Sequence, residues 1–207
     1  MAEPEQPQIY LVTPPAFERD AFADRLAGVL DAHPVACLRL ALATQDADEV
    51  ARAADRLREV AHARDVPIVV AEHLALVEPH GLDGVHLLHG ARGVRKARAA
   101  LGAEPIVGAF CGISRHEGMS AGEAGADYVS FGPVGATGLG DGTVAEAELF
   151  AWWSEMIELP VVAEGALDAA HVARLAPVTD FFALGEEIWR EDDAAGALGR
   201  LIAAMTR

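Results

Sequence analysis

The sequence predicts an α/β fold, a single (β/α)8 TIM barrel. Short apolar runs recur eight times along 207 residues. They are continuous rather than alternating, as expected of parallel strands covered by helices. The stretches between them carry apolar residues at helical spacing. Eight such units in about 200 residues sit at the small end of a barrel. A doubly wound open sheet is the competing arrangement of the same elements.

Residues 1–8 are polar and proline-rich and read as a flexible leader, with the barrel over 9–207. The eight runs are Ile9–Thr13, Ala36–Leu42, Pro67–Glu72, Gly84–Leu88, Pro105–Phe110, Tyr128–Val134, Pro160–Gly165 and Phe181–Glu186. Between the second and third, residues 46–65 place Val50, Ala54, Leu57 and Ala61 on one helical face, with Arg and Glu opposite. Asp46 suits its N-cap. Trp152 and Trp153 fall in the helix between the sixth and seventh runs, where packing or a subunit contact accounts for them. No linker or shift in composition divides the chain.

Lys and Arg total 16 against 32 acidic residues, a formal net charge of −16. Such a surface repels nucleic acid and anionic membranes. No run approaches the roughly 18 apolar residues of a membrane span, and the N-terminus lacks the pattern of a signal peptide. The cytoplasm is the expected compartment. Two cysteines, Cys37 and Cys111, do not suggest a disulfide framework. Cys111 reads as a packed thiol, because no base accompanies it in sequence.

Barrel sites form at the C-terminal ends of the strands. The expected site is therefore a small-molecule pocket at that face, built from residues that follow each run. Association into a homo-oligomer is compatible with the sequence and not required by it. Arg39 either grips an anion or pairs with Glu72 or Glu164 across the mouth. Glu72 with His86 and His89, joined by His73, offers carboxylate and imidazole to a metal; ordinary hydrogen-bonded histidines are the other reading. Glu186 and Glu187 are adjacent, so one is expected to face the mouth and the other to cap or solvate a helix start.

YLVT (10–13), DGVHL (83–87), SRHEGMSAGEAGADY (114–128), GADYVSFGPV (125–134), WWSEMIELPVVA (152–163) and IW (188–189) resemble, in order and spacing, the thiamine phosphate synthases and their thiazole tautomerase relatives. The likeness is nearest to proteobacterial synthases. It implies a barrel transferase of thiamine biosynthesis that joins a pyrimidine diphosphate to a thiazole phosphate with Mg2+, releasing pyrophosphate. Carried onto this chain, it implies Arg39, Glu72 and Thr137 at the diphosphate, with Glu72 on the metal. It further implies His73, His89, Ser114, Thr137, Glu164, Gly165, Gly185 and Glu186 around the ligand.

The same positions depart from the family pattern. Ala41 stands where the family has lysine, and Ala71-Glu72-His73 where it has Asn-Asp-Arg. Ala91 replaces a second metal aspartate. ATGLG (136–140) keeps Thr137 but loses a threonine and a lysine. Glu164-Gly165-Ala166 replaces Ile-Gly-Gly, and Glu186-Glu187 replaces a glycine pair. Pro133 stands where the tautomerases carry a histidine, which removes that reading's proton-transfer residue. Carboxylates near a phosphate turn repel the anion, more so where water is scarce. Two expectations follow. In the first, which these residues favour, the chain is a pseudoenzyme with degraded phosphate and metal residues, binding another ligand or partner at the mouth. In the second, it is a divergent thiamine phosphate synthase.

Overall fold

A computed structural model describes residues 6–206. Eight parallel strands close into a barrel in sequence order, which excludes the open sheet. They are β1 (Gln8–Val12), β2 (Cys37–Leu40), β3 (Ile68–Ala71), β4 (Gly84–Leu87), β5 (Ile106–Phe110), β6 (Tyr128–Phe131), β7 (Val161–Glu164) and β8 (Phe181–Leu184). Each lies within or one residue from its expected run. Gln8 opens β1, and its N–H donates to the Asp180 carbonyl at 2.9 Å. The barrel thus starts one residue inside the expected leader, of which residues 1–5 lie outside the described part.

The helices α1 (Arg19–Ala32), α2 (Ala47–His62), α3 (Val94–Leu101), α4 (Arg115–Glu123), α5 (Ala147–Met156), α6 (Ala169–Leu175), α7 (Glu186–Trp189) and α8 (Ala194–Ala204) alternate with or follow the strands. Asp46 caps α2 as expected, accepting from the N–H groups of Asp48 and Glu49. The inner and outer faces of the strands build two separate apolar clusters. Leu11, Leu38, Val70, Val107, Phe131 and Leu184 are among those that face the helices. Tyr10, Cys37, Val69, Tyr128, Val162 and Ala183 fill the barrel. Gly108 is required there, because a Cβ on it would fall inside the Tyr128 ring. Trp153 is fully buried and packs edge-on against Phe131 at 4.9 Å between ring centres. Packing therefore accounts for Trp153, while Trp152 lies under the Arg115 guanidinium at 4.5 Å.

An aspartate just before each of β4, β6 and β8 locks the bottom of the barrel. Asp83 accepts from Ile68 N–H at 2.7 Å, Asp127 from Val107 N–H at 2.7 Å, and Asp180 from Val161 N–H at 2.8 Å. Each carboxylate ties its own strand to the start of the one before. Asp127 also holds Arg98 at 2.5 Å. Asp127→Ala leaves the Val107 donor without its partner and is expected to cost about 1–2 kcal/mol. A thermal melt reads this as a lowered Tm, and an unchanged Tm would mean that water replaces the carboxylate there.

Candidate functional site

The C-terminal ends of β1, β2, β7 and β8 surround a cavity of about 490 Å3. Arg39, Thr137, Glu164, Gly165, Gly185, Glu186 and Glu187 line it, with Thr13 and Arg190. Six of the expected site residues are thus brought to one mouth by the loops of different strands.

The floor is an ion pair. Arg39 points inward from β2 and Glu164 from β7; they are 6% and 4% exposed. An Arg39 Nη donates to one carboxylate oxygen of Glu164. The Ser130 hydroxyl donates to the other at 2.5 Å. Arg39 therefore takes the internal partner that its burial requires, which is Glu164 and not Glu72. Burial alone would weaken its hold on the proton, but Glu164 beside it shifts the guanidinium upward instead. The guanidinium also lies 5.6 Å from the Tyr10 ring centre, on the cluster below.

Beneath the floor runs a second polar chain. Tyr10 and Tyr128 share a hydrogen bond of 2.6 Å, and Tyr128 meets His86 Nδ1 at 2.8 Å. Burial pushes both phenols upward. It pushes His86 well below its ordinary value, with the nearby Arg39 charge acting in the same direction. His86 Nε2 and Arg39 Nε have no hydrogen-bond partner.

The wall between β7 and β8 carries a contact that sequence reasoning missed. Glu187 accepts from the N–H of Gly185 at 2.7 Å through one oxygen and from the N–H of Leu167 at 3.1 Å through the other. The expectation for the Glu186–Glu187 pair separates in this way: Glu186 is exposed at the mouth, and Glu187 binds the backbone of two loops. The signal was available in the sequence, since a carboxylate two residues after a strand-end glycine can reach back to that residue's N–H. Gly165 is required where it stands: its φ is +92°, and a Cβ would approach Pro133 to 2.8 Å.

Four expected residues lie elsewhere. Glu72, with φ +62°, accepts from Leu88 N–H. His73 precedes a short 3-10 turn over Leu74–Leu76. Ser114 caps α4 by accepting from Glu117 N–H at 3.2 Å. His89 is exposed beside a separate surface hollow that also includes Cys111. Cys111 is buried, and burial raises its thiol to about 12, in keeping with a packed side chain.

The structure does not bring Glu72, His73, His86 and His89 together as one metal set. His86 is enclosed in the barrel, while His89 is on the surface. Among the described residues, no three His, Cys, Asp or Glu side chains come together as a set for a metal. The Glu72 and Glu164 carboxylates are held by other donors. Mg2+ held through one or two carboxylates together with substrate phosphates needs no such set, and Glu72 is the carboxylate expected for it.

Known proteins resemble the chain over its whole barrel. The family model described as thiamine monophosphate synthase matches residues 9–187. A thiamine-phosphate synthase of Rhodospirillum centenum is 41% identical, over 88% of this chain and 89% of that protein. One of Erythrobacter litoralis is 37% identical over 94% of each. Among solved structures, a thiamine phosphate pyrophosphorylase from Pyrococcus furiosus superposes with a TM-score of 0.83 at 21% identity, covering 96% of this chain and 95% of that one. A 3-hexulose-6-phosphate synthase from Salmonella typhimurium gives 0.75 at 15%, covering 95% and 98%. At such identities the structures speak for the fold alone. The family rests on the sequence relatives and the model match: this chain belongs to the thiamine monophosphate synthase family.

Proposed function

We propose that the chain is a transferase of thiamine phosphate synthesis, joining hydroxymethylpyrimidine diphosphate to thiazole phosphate at the barrel mouth. The observation that carries this is the near full-length similarity to proteins named thiamine-phosphate synthase. It reverses the order of the two sequence expectations, and the pseudoenzyme reading draws no support from the comparisons. In the reaction the thiazole ring nitrogen attacks the pyrimidine's methylene carbon. The C–N bond forms as the C–O bond to diphosphate breaks, and diphosphate leaves with the electron pair.

Within the mouth, Thr137 and Arg190 are donors without a buried partner, and Arg39 gives one Nη to Glu164 while its Nε has no partner. We assign Thr137 and Arg39 to the diphosphate, and Gly165, Gly185 and Glu186 to the wall around the thiazole. Mg2+, when bound, would be held by the Glu72 carboxylate with the diphosphate and would neutralise charge on the leaving group. The partners are then small molecules, in the cytoplasm. No helix among the described residues is long and apolar enough to cross a membrane.

The test is thiochrome fluorescence after incubation with both phosphorylated substrates, Mg2+ being included as the family resemblance suggests. Product above background is expected. Thr137→Val, on the exposed loop, is expected to lower kcat/KM about tenfold, the loss of one good hydrogen bond. A second reading, binding at the mouth without catalysis, is favoured by one feature: the chain's own carboxylates hold one Nη of Arg39 and the β7–β8 amides. A folded protein that forms no product would establish it over the first.

A further inference from the structure

We propose that Arg190, at the C-terminal end of α7, receives the phosphate of the thiazole substrate on the β8 side of the mouth. The inference rests on the mouth being the synthase site and adds to that reading the side chain that selects a phosphorylated acceptor. Arg190 lines the mouth cavity together with Gly185 and Glu186. Its N–H donates to the Glu186 carbonyl at 3.3 Å, so the two side chains leave α7 one turn apart on the same face. The chain on either side of it is anchored. Trp189 Nε1 donates to the Val12 carbonyl at 2.7 Å, and an Arg25 Nη donates to the Glu191 carbonyl. The base of Arg190 is thus tied to the barrel while its side chain is 73% exposed.

The second observation is the competition for donors in the mouth. Glu187 already accepts from the amides of Gly185 and Leu167, so these two donors of the β7–β8 wall are engaged. A phosphate on this side therefore needs a cation, the more so because the exposed Glu186 carboxylate repels it. Two guanidinium groups line the cavity. Arg39 belongs to the floor, and drawing it up to the wall would strand the buried Glu164 carboxylate. Arg190 gives up far less. Its ion pair is with Glu191, at 3.9 Å and open to water, where such pairs contribute little. Arg190 is therefore the cation that turns to an incoming phosphate, and Arg39 stays below with the diphosphate assigned to it. A guanidinium can hold two phosphate oxygens at once, which favours a heterocycle bearing a phosphate monoester over the corresponding alcohol.

The experiment titrates the wild-type chain, Arg190→Met and Arg190→Lys calorimetrically with hydroxyethylthiazole phosphate, hydroxyethylthiazole and hydroxymethylpyrimidine diphosphate. Arg190→Met keeps the length of the stem and removes the charge, and an exposed position tolerates it. Its affinity for the phosphate ester is expected to fall about tenfold or more, as for a lost charge-assisted contact. Its affinities for the alcohol and for the pyrimidine diphosphate should stay within about twofold of wild type. Arg190→Lys keeps the charge and should lie nearer to wild type than Arg190→Met does. In turnover, the loss in Arg190→Met should appear as a raised KM for the thiazole phosphate rather than a lowered kcat, because the contact is made equally before and during reaction.

An ester affinity of Arg190→Met within about threefold of wild type, an equal loss for ester and alcohol, a loss that falls on the pyrimidine diphosphate instead, or no binding of the ester to wild type would each overturn the proposal. Failure of the synthase reading is distinguishable from this. If no product forms but ester binding still depends on Arg190, the synthase reading falls and the assignment stands. If product forms and the substitutions leave the KM for the thiazole phosphate unchanged, the assignment falls and the synthase reading stands.

Discussion

Glu164→Ala is expected to destabilise the fold by about 3–5 kcal/mol, because it strands the Arg39 guanidinium in the barrel. Both residues are more than nine-tenths buried, and Arg39 Nε already lacks a partner. Removing the carboxylate leaves a desolvated cation over the Tyr10 ring, with the Ser130 hydroxyl also deprived of its acceptor. The loss does not measure what the intact pair contributes. Two charges taken from water give back most of their mutual attraction as desolvation, so an apolar pair of similar volume can do as well. The double variant Arg39→Met with Glu164→Leu should therefore recover most or all of the stability lost in Glu164→Ala. Urea unfolding of wild type, single and double variants reads the comparison. A single variant within about 1 kcal/mol of wild type would show that Arg39 swings out through the mouth to water. In that case Arg39 is also free to meet an anion, and the assignment of this arginine to the diphosphate gains by the same result.

The pair illustrates what the sequence could and could not convey. Arg39 was recognisable as a residue in need of a partner, since an arginine inside an apolar run cannot stay unpaired. Its position in sequence did not choose between Glu72 and Glu164. The choice comes from the barrel: β2 and β7 turn residues 39 and 164 into the interior, where they pair, while Glu72 lies beyond the end of β3 and turns to Leu88 N–H. The strands themselves were legible to within two or three residues, because each is a covered parallel strand whose sides are both apolar. For the same reason, which side of a strand faces inward was hidden. A run apolar on both faces carries no alternation to read.

The histidines show the same limit from the other direction. His86 and His89 stand three residues apart, which on paper suits a metal. In the barrel, residue 86 is the last but one of β4 and faces the interior, while residue 89 lies past the strand on the surface. The network of His86, Tyr128 and Tyr10 spans three strands that are distant in sequence, so no local spacing announces it. Glu187 was missed because a carboxylate beside an expected ligand residue looked like helix solvation, although its two backbone contacts make it the most engaged group on that wall.

Acid is expected to destabilise the protein from about pH 6.5 downward through His86, before the carboxylates contribute. His86 is fully enclosed, its Nε2 has no partner, and the Arg39 charge lies close by. The imidazolium is therefore disfavoured in the folded chain, whose value for this group lies well below the ordinary 6.5. The unfolded chain binds the proton near 6.5 and the folded chain does not. Between those two values the unfolded state holds more protons, so stability rises with pH and falls as pH is lowered. The full contribution is present above about 6.5, and each unit below removes about 1.4 kcal/mol until the folded value is reached. Asp31 and Asp168 are held below their ordinary values, so losses from them begin lower. His86→Phe should keep the Tyr10–Tyr128 hydrogen bond and remove the orphaned nitrogen, so its stability above pH 7 should lie within about 1 kcal/mol of wild type. Its stability should fall less steeply than that of wild type as the pH is lowered below about 6.5. Urea midpoints across that range decide the point: parallel curves for the two proteins would mean that His86 accepts its proton inside the barrel, with a water or a shifted Tyr128 serving the second nitrogen.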